Sequence, residues 1–92
     1  MASCAMITPP PVTSLCRHKA FYVALVYYDS GYDVRLVHGL LQGKNHMEAQ
    51  ARVDGTWRWI DYDLMLQAKP DGFEVLEYYT LKEYFEILME NK

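Results

Sequence analysis

One stretch, "HMEAQARVDGTWRWIDYD" at residues 46–63, constrains the fold of this chain more than any other. Asp54-Gly55 is a strong short-range hairpin signal, because a two-residue turn with positive φ at both central positions matches the twist of the strands it joins. Strands are therefore expected over 46–53 and 56–61, with Val53 facing Thr56. That register puts His46 opposite Asp63 and Glu48 opposite Asp61. Side chains alternate along a strand, so His46, Glu48, Gln50, Arg52, Trp57, Trp59, Asp61 and Asp63 share one face. Met47, Ala49, Ala51, Val53, Ile60 and Tyr62 share the other, which reads as a core surface. Diagonal neighbours in a hairpin are roughly 7 Å apart at the backbone, within reach of a carboxylate at 61 and a ring at 46. A His–Asp pair on one sheet face follows from spacing alone.

The rest of the chain supplies elements to pack on that hairpin. Ser14 reads as the N-cap of a helix of about Leu15 to Ser30, with Leu15, Ala20, Phe21, Ala24, Leu25 and Tyr28 near one face and Gly31 ending it. "DVRLVHGLLQ" at 33–42 reads as a strand followed by a turn at "GKN", and "FEVLEYY" as a fourth strand. Thr80 and Glu83 form a capping-box pattern that opens a C-terminal helix of about Leu81 to Glu90. Pro9, Pro10 and Pro11 make residues 1–13 a Pro-rich arm, leaving 14–92 as a single domain. Helix, three or four strands, helix is the order of an α+β domain with an antiparallel sheet.

Composition narrows the function. A chain of 92 residues buries only about 60% of its unfolded surface, and the 51% hydrophobic fraction with eight Tyr, three Phe and two Trp suffices for one small core. The net charge of −3 and the scatter of the nine Lys and Arg argue against a nucleic-acid partner. No apolar run approaches the ~20 residues of a membrane span, so no membrane partner is expected. "MASCAMITPPPV" has neither a cationic start nor a long apolar stretch, and a cytoplasmic location without signal peptide is expected. Two cysteines permit at most one disulfide, fewer than a secreted domain of this size usually carries; Cys4 and Cys16 read as free thiols.

"SLCRHKAF" raises the chemical question, since a cysteine at a helix start beside cations has a reason to be a thiolate. A helix N-terminus and a nearby imidazolium lower a thiol pKa from ~8.5 to about 3.5–7.5. Cys16 is then the candidate nucleophile, His46 the base that later protonates a leaving group, and Asp61 the carboxylate that holds the imidazole. Backbone N–H groups at the helix start, that of Cys16 included, are candidate oxyanion donors. Each residue also has a plainer reading. Cys16 alone could be a small buried hydrophobe, His18 a solvated side chain, His38 a satisfied and partly buried histidine, and Cys4 incidental. Trp57 and Trp59 are either core beneath the helix or walls of a cleft; with Glu48 and Asn45 they are the candidates for lining one. Cys16, His18, His38 and His46 have no metal-ligand spacing, and no metal or cofactor is expected.

The order Cys…His…Asp on a helix start and two hairpin strands resembles the transglutaminase-like superfamily of papain-fold cysteine enzymes. "CRHKAFYVALVYYDSGYDVRLVHG" is similar to the family's cysteine-bearing helix and the strand after it, and "HMEAQARVDGTWRWIDYD" to its His strand, Asp-Gly turn, Trp and terminal Asp. The similarity covers about residues 15–63. It implies a papain-like core with the Cys-bearing helix packed on a small antiparallel sheet, and a Cys16–His46–Asp61 triad. The implied activity is cysteine hydrolysis of an amide bond in a peptide or protein substrate through an acyl-thioester. Glu48, Gln50, Tyr62 and Asp63 stand where family members often carry an aromatic, Glu, Pro and Thr. Those departures and the short stretch before Cys16 favour the alternative, a peptide- or protein-binding module that keeps the fold without turnover.

Overall fold

The computed structural model describes residues 15–90, and their side chains apart from those of 15–17 and 88. The expected arm, Cys4 and the Ser14 cap lie outside the described residues. The described residues form a small α+β domain of two helices and one five-stranded antiparallel sheet. The elements run α1 (Leu15–Asp29), β1 (Val34–Leu41), β2 (Lys44–Val53), β3 (Thr56–Ile60), β4 (Leu66–Gln67), β5 (Phe73–Tyr79) and α2 (Leu81–Glu90). The strand order is β4-β3-β2-β1-β5, so the last strand crosses back to pair with the first.

The Asp54-Gly55 hairpin forms with the expected register. Val53 pairs Thr56 and Ala49 pairs Ile60, with Asp54 at φ 53° as the two-residue turn demands. The preceding turn is tighter than "GKN": Leu41 pairs Lys44, and Gln42-Gly43 makes a second two-residue turn with Gln42 also at φ 53°. Lys44 and Asn45 thereby extend β2 at its start.

Alternation sets the layers. Leu36, Met47, Ala49, Ala51 and Ile60 point to one side and form the core with Ala20, Val23 and Ala24 of α1 and Tyr84 of α2. The small side chains of β2 and α1 let helix and sheet approach closely. The inward stripe of α1 differs from the expected one, because Leu25 and Tyr28 are 41% and 62% exposed and Val23 takes the core position. Nearly every turn of α1 carries apolar residues, so periodicity could not choose between stripes.

Hydrogen bonds fix the helix ends. Gly31, at φ 101°, adopts the left-handed conformation, with Gly31 N donating to Tyr28 O at 3.0 Å and Tyr32 N to Tyr27 O at 3.1 Å. The Tyr27 and Tyr32 rings, 5.4 Å apart, supply the hydrophobic contact that accompanies this cap. At α2 the capping box closes both ways: Glu83 N donates to Thr80 Oγ1 at 3.0 Å, and Thr80 N to Glu83 Oε1 at 2.9 Å.

β3 stops at Ile60, one residue before the expected end. Asp61 Oδ1 accepts the backbone N–H groups of Asp63 (2.8 Å) and Met65 (2.9 Å), and Asp61 N donates to Met65 O at 2.8 Å. This turn reverses the chain into β4, an element the sequence did not announce. Asp61 and Asp63 therefore leave the sheet, and neither faces β2 as a cross-strand partner.

Candidate functional site: a buried histidine–carboxylate pair

The sheet face away from the core carries His46, Glu48 and Gln50 in a row on β2, all three buried. Burying such groups is costly unless each has a partner. His46 Nε2 lies 2.5 Å from Glu48 Oε2, with the two side chains only 3% and 5% exposed. Gln67 Nε2 of β4 donates to Glu48 Oε1 at 3.4 Å, and Arg35 Nε of β1 donates to Gln50 Oε1 at 2.6 Å. The carboxylate on the imidazole is thus Glu48, in place of the expected Asp61. Two residues on a strand are about 7 Å apart, and side chains leaning toward each other close that gap. Asp61 instead spends its acceptor on the turn that ends β3.

Aromatic side chains cover the pair. Phe73 of β5, 3% exposed, meets the His46 ring edge-on at 5.6 Å and the Trp59 ring edge-on at 5.6 Å. Phe73 can lie there because Gly39 of β1, paired with His46, has no side chain: a Cβ at 39 would sit 2.9 Å from the Phe73 ring. Trp57 and Trp59 share this face, opposite the one on which α1 packs, and are not core beneath that helix. Glu48 shares that face as expected. Asn45 does not: it alternates to the core side, where its Oδ1 is 3.2 Å from His38 Nε2. His38 is also 3.2 Å from Glu77 Oε2, matching the reading of a satisfied, partly buried histidine.

α1 packs on the opposite face of the sheet from His46, and Tyr62 lies between its start and the His46 ring. The Tyr62 ring is 6.5 Å from that of His46, and Lys19 of α1 places its Nζ 5.7 Å from the Tyr62 ring centroid. Tyr62 donates to Met47 O at 2.7 Å; burial, and then the Glu48 charge, push its phenol well above the usual range. Cys16 stands one helical turn before Lys19, and its side chain lies outside the described ones. Among the described residues no group of three or more His, Cys, Asp or Glu gathers as a metal site, and no helix is long and apolar enough to cross a membrane.

Sequence reasoning missed the residues that complete this face. Phe73 and Gly39 come together only through the β1–β5 pairing, which no local signal announces. Arg35 and Gln50 are likewise joined by the β1–β2 register. No protein-family model, curated protein or solved structure matches the chain.

Proposed function

We propose that the domain is a cysteine amide hydrolase of transglutaminase-like type with a papain-like core, in which Cys16 is the nucleophile, His46 the general base and acid, and Glu48 the residue that orients the imidazole. The observation that carries this reading is the buried His46–Glu48 pair, 2.5 Å apart, with the Tyr62 ring 6.5 Å from His46 and Lys19 Nζ at the start of α1 5.7 Å from Tyr62. The Cys16 thiolate, its proton on His46, attacks the amide carbonyl carbon and forms a C–S bond. Collapse of the tetrahedral intermediate breaks the C–N bond as His46 gives its proton to the leaving amine. Water then attacks the thioester while His46 takes its proton, releasing the carboxylate and the thiol. An amine in place of water gives acyl transfer by the same steps.

The test is the rate of iodoacetamide alkylation at each cysteine against pH, located by mass mapping. Cys16 is expected to react at mildly acidic pH where Cys4 is nearly inert. Equal rates with an unshifted profile at both would end the hydrolase reading. The binding-module alternative would then be preferred, with the groove of about 460 Å³ between α1 and α2, lined by Phe21, Leu25, Tyr28 and Phe85, as its surface.

A further inference from the structure

Farther along the same sheet face stands a cation that pairs with no acid among the described residues. Arg35 lies with its guanidinium carbon 4.2 Å from the Trp57 ring centroid and 4.0 Å from that of Tyr78. In the sheet order β3, beyond β2, lies to one side of β1 and β5 to the other. Its Nε is taken by Gln50 Oε1 at 2.6 Å. Two rings and one amide thus fix the group, leaving the two terminal nitrogens as its remaining donors. No carboxylate among the described residues pairs with it; the acids that form ion pairs, Glu48 and Glu77, are spent on histidines. Arg35 is only half-buried and Tyr78 is 50% exposed, so the site opens to solvent. Desolvation draws the guanidinium pKa below its ordinary value, partly offset by Tyr78.

We propose that Arg35, held between Trp57 and Tyr78 and oriented by Gln50, is a binding site for a peptide carboxylate. A guanidinium edge presents parallel N–H groups that match two carboxylate oxygens, and a fixed guanidinium loses little freedom on binding. The flanking rings offer flat apolar walls to the residues beside the acid. A polyanion is disfavoured by the chain's net charge of −3, whereas a single carboxylate needs only this local cation. Gln50, the partner of Arg35, is four residues from His46 on β2, about 13 Å at strand rise. An extended peptide on this face could span both. The site goes beyond the hydrolase reading and does not require it, since the test reads binding and not turnover.

The test is an NMR titration that follows the indole N–H of Trp57, with that of Trp59 as internal reference. The probes are acetyl-Ala-Glu-Ala-amide, acetyl-Ala-Ala-Ala with a free C-terminus, acetyl-Ala-Gln-Ala-amide and inorganic phosphate. A saturable, millimolar shift of Trp57 is expected from one or both carboxylate peptides and none from the Gln peptide, and the responding peptide tells a side-chain acid from a C-terminus. Arg35→Lys, which loses the planar fork, is expected to weaken that binding about tenfold. The contrast between Glu and Gln peptides on the unaltered protein stands even if the variant folds poorly. Silence from both carboxylate peptides, an equal response to the Gln peptide, a response to phosphate alone, or binding unchanged in folded Arg35→Lys would overturn the proposal.

Discussion

Replacing Gly39 with Ala probes the packing that seals the candidate site. A Cβ there would lie 2.1 Å from the carbonyl oxygen of Glu74 and 2.9 Å from two atoms of the Phe73 ring. The first neighbour is backbone of the adjacent strand and cannot rotate aside. The second is a buried ring wedged against both His46 and Trp59. Either β5 shifts outward, straining its ladder with β1, or Phe73 swings away. Overpacking typically costs about 1–3 kcal/mol. Exposing a buried Phe adds about 1.5–3 kcal/mol. A destabilisation of about 3 kcal/mol or more is expected, and at about 4–8 °C per kcal/mol for a domain of this size the melting midpoint should fall by ~12 °C or more. Circular dichroism on heating reads the midpoint, and Trp59 fluorescence, shifted red as Phe73 leaves its edge, reports the local cause. Gly31→Ala is the control: nothing lies within 4 Å of its Cβ, and only its φ of 101° resists, at a cost of about 1–3 kcal/mol. A Gly39→Ala protein melting within a few degrees of the unaltered chain, or above Gly31→Ala, would refute this packing.

Other outcomes follow from single contacts. Thr80→Ala removes the acceptor for Glu83 N and should cost about 1 kcal/mol in a thermal melt, while Thr80→Ser should be nearly neutral. The Glu77 carboxyl is held below its usual range first by the Tyr79 hydroxyl and then by His38, so Tyr79→Phe should raise its pKa in an NMR titration. The Tyr79 phenol, pushed up from 10.0 to about 12 chiefly by its hydrogen bond to Glu77, keeps its proton where the unfolded chain loses it. Its contribution to stability is full below pH 10 and lost as pH rises toward 12, and Tyr79→Phe should flatten the alkaline limb of a stability–pH curve. Glu48→Gln should slow Cys16 alkylation more than Asp61→Asn does, because Glu48 holds the imidazole and Asp61 holds a turn; the opposite ranking would restore the expected triad.

Much of the fold could be read from local chemistry. Asp54-Gly55 set a register, the Thr80–Glu83 box opened α2, and Gly31 closed α1, each because a specific backbone group needed that residue. The sharing of one face by His46, Glu48, Trp57 and Trp59 followed from alternation. What failed depended on long-range pairing or on competition for one acceptor. Asp61 had the right parity, but parity holds only while the strand lasts, and its own Oδ1 ends the strand at Ile60. Glu48 shares the face of His46 two residues along the strand, and the two side chains close a backbone gap of about 7 Å that the pattern alone does not bridge. The cover of Phe73 over Gly39, and the Trp57–Arg35–Tyr78 stack, arise where β5 returns to pair with β1 across the sequence, and no window of the sequence contains both partners.

Single-turnover acetylation by p-nitrophenyl acetate, followed by mass analysis of the peptide bearing Cys16, tests most directly whether His46 activates that thiol. The unaltered protein should acquire acetyl on Cys16 with a burst of nitrophenolate. His46→Asn should slow that burst by at least about a hundredfold, the range of a general acid–base contribution. Acetylation of Cys16 at the same rate in both proteins, or at no greater rate than Cys4, would contradict the account.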